Sequence, residues 1–110
     1  MIKAAFTKHN DLFCKFEVSG HADFADFGDD IVCAGVSSAV QMCANGITEV
    51  VGYPAKVVCE ENLISVELMQ NEPNEFCEVL MASLFLQLSV LSQSYKDSIN
   101  LYFRRCDDQC

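Results

Sequence analysis

Residues 12–36 read LFCKFEVSGHADFADFGDDIVCAGV, and within them the hydrophobic period changes once. Leu12, Cys14, Phe16 and Val18 alternate with more polar neighbours, the two-residue period of a strand with one buried face. From Ile31 the spacing becomes three and four. Val32, Val36, Ala39, Cys43, Ile47 and Val50 then mark one stripe of a helix of about five turns. Residues 22–30 hold no sustained period and read as a loop, with Asp29 or Asp30 as the natural helix cap.

Toward the N-terminus, Ile2, Ala4 and Phe6 alternate as well, and His9-Asn10-Asp11 supplies the turn of a β-hairpin, with His9 expected to be solvated. Toward the C-terminus, Gly52-Tyr53-Pro54 stops the helix, and two short strands follow at Ala55–Cys59 and Leu63–Met69. Asn71-Glu72-Pro73 opens a second helix. Its buried face is expected at Phe76, Leu80, Leu84, Leu88 and Leu91, widened by Cys77, Met81, Phe85 and Leu86. A helix this apolar needs cover from a second subunit as well as from a sheet. Ile99, Leu101 and Phe103 form a last strand. The order is ββαββαβ, an α+β fold with two helices packed on one face of a largely antiparallel sheet, in one domain over 1–110 with a flexible tail from about 105. Strand order does not follow from the pattern.

Sixteen acidic residues against seven basic ones give a formal charge of −9. That surface repels phosphate backbones, so direct nucleic-acid binding is not expected. It attracts a basic peptide, or it serves solubility alone. No stretch approaches the ~20 apolar residues of a membrane span, and the first residues lack a secretory h-region, which points to the cytoplasm. Seven cysteines at irregular spacing do not read as a disulfide framework. Cys14, Cys43, Cys59 and Cys77 lie among apolar residues and are expected to be core.

A nucleophilic cysteine needs a feature that favours its thiolate. If Asp30 caps the helix, Cys33 falls in the first turn, where unbonded N–H groups and the positive end of the dipole favour an anion. The same region offers the backbone amides of Cys33 and Ala34 as oxyanion donors. Cys33 lies beside the Val32 and Val36 stripe, in a row with Ser37, Val40 and Ala44 that should form its margin. His21 follows a glycine just past the second strand, and the loop after it leads straight to Cys33, so the imidazole can serve as base.

The stretch Gly20-His21-Ala22, then Gly28, Asp30, Val32-Cys33-Ala34 and Val36-Ser37, resembles the signature of the ribosomal-processing cysteine protease family, Prp. The length and element order are similar to the family's over essentially the whole chain. The resemblance implies removal of a short N-terminal extension from large-subunit ribosomal protein twenty-seven, with Cys33 as nucleophile and His21 as base. It also implies a homodimer and supporting roles for Asp30 and Ser37. Asp30 orients His21, caps the helix, or does both; Ser37 shapes the pocket or bonds back to its own helix. No cofactor or metal is required, and Cys106 and Cys110 in the tail lack further ligands nearby. The loop of Ala22, Asp23, Asp26, Gly28 and Asp29 is expected to close over a basic peptide, or to be a solvated charge run. The rivals are a non-catalytic acidic adaptor that binds a basic ribosomal protein, and a thioesterase or amidase for small substrates.

Overall fold

The computed structural model describes residues 1–20, 27–69, 74–96 and 98–105, with 27–30 described by their backbone alone. Strands β1 (Ile2–His9) and β2 (Leu12–Ser19) form the first hairpin. Helix α1 (Phe27–Asn45) continues into a π-helical segment (Gly46–Val51). Strands β3 (Ala55–Glu60) and β4 (Leu63–Leu68), helix α2 (Glu75–Ser94) and strand β5 (Ile99–Arg105) complete the ββαββαβ order. The sheet runs β3-β4-β2-β1-β5, antiparallel throughout except for the parallel pair β1–β5.

Asn10 and Asp11 both take positive φ, 54° and 65°, the geometry that matches a two-residue turn to the twist of its strands. Between Thr7 and Lys8 the register shifts, so that Thr7 faces Lys15 while Lys8 faces Phe13. Cys14 is the extra residue of this bulge, its thiol pointing at the Thr7 carbonyl 3.6 Å away. The bulge changes the phase of the alternation. Leu12, expected inside, is exposed, while Phe13 is buried against Phe6, Phe85 and Phe103. His9 is the last residue of β1, partly buried and opposite Leu12, rather than a solvated turn residue.

Both helices lie on one face. Ile2, Phe6, Phe16, Val18, Val66 and Leu68 of the sheet are fully buried against Val32, Val36, Val40 and Ile47 from the first helical run, and Met81 and Leu88 from the second. Each such side chain contributes roughly 1.5–3 kcal/mol by leaving water. A Cβ on Gly46 would come within 2.9 Å of Leu80, and one on Gly35 within 3.6 Å of Leu91. These pairings run in opposite directions along the chain, so the helices are antiparallel and close enough for glycine to matter. The π segment ends at Gly52, whose φ of 74° turns the chain away and lets its amide donate to the Ile47 carbonyl.

Several details differ from the sequence expectation. Val40 and Ala44 are buried on the α1 stripe rather than at its margin, and Val50 is exposed. The cap of α2 is Asn74, whose side-chain oxygen accepts from the amides of Phe76 and Cys77 at 2.9 and 3.1 Å, so the helix opens at Glu75. Its buried stripe is Cys77, Met81, Leu84 and Leu88, while Phe76 and Leu86 face outward. The sheet meets α2 at a rotation that the run of apolar residues did not specify. Arg105 still belongs to β5, and 106–110, including Cys106 and Cys110, lie outside the described residues. By length and composition the segments Ile31–Val51 and Glu75–Ser94 are each apolar enough to cross a membrane, contrary to expectation. Their buried stripes on the sheet account for part of that apolar content.

Candidate active site

The five described cysteines form no disulfide and fall into two groups. Cys14, Cys43 and Cys77 are buried. Burial pushes all three thiols up, Cys43 to about 12 with a further contribution from Cys77 beside it, and Cys14 further through the Glu67 carboxylate. A thiol held in its neutral form and away from solvent is a poor nucleophile. Cys33 and Cys59 remain reachable. The sequence places Cys59 in the core, but β3 is the edge strand, with a neighbour on one side only, and Cys59 is exposed.

Cys33 is partly buried on α1, between buried Val32 and exposed Ala34. This is the marginal position that the sequence predicts. Its place along the helix differs. Because α1 begins at Phe27, Cys33 is the seventh residue rather than a member of the first turn, and Asp29 and Asp30 lie inside the helix rather than capping it. Acidic residues are favoured at the positive end of a helix, so the helix runs through them. The donors without helical partners are those of the first four residues. The amides of Cys33 and Ala34 lie beyond these, so an oxyanion role for them would require the opening turns of α1 to rearrange.

Strand β2 ends at Ser19, and Gly20 leads from it to His21. Gly20 has a φ of 86°, and a Cβ there would stand 2.6 Å from the Met1 carbonyl oxygen, so only glycine fits. Its amide donates to the Asn62 carbonyl at 3.2 Å, tying the end of β2 to the β3–β4 turn. His21, Ala22, Asp23 and Asp26 lie outside the described residues, as do the side chains of Asp29 and Asp30, and Gly28 is described by its backbone alone.

Val36 and Ser37, one helical turn after Cys33, line a cavity of about 60 Å³ together with Val18, Val40, Gln41, Cys59, Glu60 and Ile64. Val18 is two residues before Gly20, so this cavity places the Cys33–Ser37 row at the end of the sheet from which the chain leaves for His21. Of these residues the sequence assigned only Ser37 to the site; Cys59 and Glu60 are the two that β3 brings to it. A strand's place at a sheet edge, which exposes them, is not written in its own residues.

A partly accessible thiol on the first long helix, at the sheet end where a glycine hands over to a histidine, is an arrangement suited to a cysteine hydrolase. The family model described as cysteine protease Prp matches residues 1–100. The chain belongs to that family and is a cysteine protease, which sets aside the non-catalytic adaptor. It is 28% identical over 107 residues to the ribosomal processing cysteine protease Prp of Bacillus subtilis (strain 168), covering 92% of this chain and 96% of that protein. It is 23% identical over 88 residues to the protein of the same name from Staphylococcus aureus (strain Mu50), covering 79% and 83%. Among solved structures, SMU.848 from Streptococcus mutans superposes with a TM-score of 0.88 at 22% identity, over 96% of both chains. The S. aureus Prp in complex with a substrate peptide superposes at 0.85 and 20% identity, over 94% of this chain and 100% of that one.

Proposed function

We propose that this chain is a ribosomal-processing endopeptidase that acts in the cytoplasm and removes the N-terminal extension of large-subunit ribosomal protein twenty-seven. Its relatives' names support the processing role. The observation that carries the chemical reading is the position of Cys33, partly exposed on α1 and one turn before Ser37, at the sheet end where β2 leads into His21. In the proposed reaction, the Cys33 sulfur attacks the scissile carbonyl carbon while His21 takes the thiol proton. The C–N bond breaks, and the imidazolium returns that proton to the leaving amine. A water, deprotonated by His21, then attacks the thioester and releases the acid and the free thiol. Asp30 positions His21, and the amides of Cys33 and Ala34 hold the oxyanion once the opening of α1 rearranges around substrate. Ser37 shapes the substrate pocket. The acidic loop, with Asp23, Asp26 and Asp29, draws in the basic substrate.

The active species in this reading is a homodimer. Met42, Val50, Phe76, Val79 and Leu86 are each more than half exposed. Met42, Val50, Phe76 and Val79 also line an apolar groove of about 580 Å³ between the helices, the surface that a second copy covers in this reading.

The test is cleavage of the precursor ribosomal protein by wild type, Cys33→Ala and His21→Ala. Wild type is expected to release the extension, and both variants to lose activity while keeping their circular dichroism. Full cleavage by Cys33→Ala would overturn the nucleophile assignment. Iodoacetamide labelling must be resolved by peptide mapping, because exposed Cys59 will react as well.

A further inference from the structure

At the sheet end that carries the site, the chain leaves β2 through one residue that is held from two sides. Ser19 pairs with Leu63 of β4, and the Gly20 amide adds a further rung by donating to the Asn62 carbonyl at 3.2 Å. Glu61 and Asn62 are the two residues between the paired Glu60 and Leu63, so the acceptor belongs to the β3–β4 turn. On the other side stands β1. A Cβ on Gly20 would lie 2.6 Å from the Met1 carbonyl oxygen, and Ile2 is itself tied to the Ser98 carbonyl at 2.9 Å. Gly20 is therefore bonded toward β4 and blocked toward β1. The Cys33–Ser37 row looks the same way: the trough that Ser37 lines with Gln41 is walled by Val18 of β2, Ile64 of β4, and Cys59 and Glu60 of β3.

We propose that the main-chain carbonyl of Asn62 is a positioning group for the general base, fixing the direction in which the chain leaves β2 so that His21 is presented on the Cys33 side. The inference rests on the reading of His21 as base. A base must come within about 2.6–3.2 Å of the atom whose proton it takes, and a misplacement of about 1 Å can cost roughly 100-fold in rate. His21 follows Gly20 directly, and a planar peptide leaves only two soft torsions per residue, so a shift of the Gly20 amide passes on with little slack. The last rung of a ladder is the first to fray, and the close approach of Met1 opposes that fraying here. Any residue at position 62 supplies this carbonyl. The length of the turn, rather than its side chains, sets where the acceptor lies.

The experiment replaces the Gly20 N–H by oxygen in the full chain, by joining a synthetic segment 1–32 that carries an ester at this bond to residues 33–110 at Cys33. No side chain changes. On the precursor protein, kcat should fall roughly tenfold to 100-fold with KM within about twofold of wild type. The rate at which iodoacetamide alkylates Cys33, divided by that of exposed Cys59 in the same sample, should fall roughly tenfold at about pH 6.5, since an imidazole beside a thiol favours its thiolate. A glycine inserted between Glu61 and Asn62 moves the same carbonyl and should reproduce both losses; it decides the matter if the ester protein does not fold. A glycine inserted between Asn10 and Asp11 loosens the opposite end of the sheet, and should lower Tm while leaving kcat and the alkylation ratio of wild type. Wild-type kcat and ratio in a folded ester protein would overturn the positioning role, as would an equal loss from the insertion after Asn10. His21→Ala separates this inference from the reading beneath it. Unchanged cleavage and labelling in His21→Ala would remove the base itself, whereas losses there beside a fully active ester protein would remove only the Asn62 anchor.

Discussion

Replacing Gly20 by alanine should cost this protein more than the same change at Gly52, and the difference measures one contact. Both glycines sit at positive φ, 86° and 74°. A left-handed conformation costs an L-residue about 1–2 kcal/mol. At Gly52 nothing lies within 4 Å of an added Cβ, so that backbone term is the whole effect, about 1 kcal/mol. At Gly20 the new methyl would stand 2.6 Å from the Met1 carbonyl oxygen. Neither side yields easily: the Gly20 amide is bonded to the Asn62 carbonyl, and the next residue after Met1 donates to the Ser98 carbonyl at 2.9 Å. Prying these strands apart adds about 1–3 kcal/mol of overpacking strain. At about 4 °C per kcal/mol for a domain of this size, Gly52→Ala should lower Tm by about 4 °C and Gly20→Ala by about 8–16 °C. Differential scanning calorimetry reads both. Cleavage assayed well below either Tm should fall for Gly20→Ala, whose next residue is His21, and stay normal for Gly52→Ala. Equal Tm losses would refute the close-approach argument, and full activity in Gly20→Ala would show that His21 does not depend on this turn.

Asn74→Ala should destabilise by about 1 kcal/mol through the loss of two capped amides, and Asn74→Asp should restore most of it in the same urea titration; equal midpoints for all three proteins would deny the cap its role. Alkaline stability should depend on Cys43, whose thiol is raised from 9.0 to about 12 in the fold. Because the folded form holds its proton more tightly, this stabilisation is fully present below about pH 9 and is lost as pH rises toward 12. Cys43→Ala should flatten the fall of the urea midpoint over that window, and an unchanged slope would show that other groups govern it. If the proposed homodimer forms through this groove, Phe76→Asp should convert it to a monomer in sedimentation without lowering far-UV ellipticity, whereas Met81→Ala, inside the core, should cost about 2–5 kcal/mol; a monomeric wild type would remove the proposed dimer, and a dimer that survives Phe76→Asp would place the subunit contact elsewhere.

Much of this architecture is legible in the residues. The two-residue period on either side of Asn10-Asp11 specifies the hairpin, since a register slip would move Phe6 and Phe16 to the wrong face. The change of period at Ile31 and the stop at Gly52 define the first helical run, because hydrophobic spacing reports the face that must be hidden from water. The candidate nucleophile is likewise visible: Cys33 lies off the stripe, and the structure keeps it partly exposed. Local pattern fails where a second element decides the outcome. The bulge at Cys14 exchanges Leu12 for Phe13 because the aromatic cluster with Phe85 and Phe103 takes the inner position. On α2, apolar on nearly every side, only contact with the sheet and with the first helical run selects Cys77, Met81, Leu84 and Leu88 as the buried face. The exposure of Cys59, and with it the trough beside α1, follows from β3 lying at the sheet edge, with a neighbour on one side only. Periodicity along a chain fixes which side chains share a face; what lies across from that face depends on strand order and helix rotation, which are properties of segments distant in sequence.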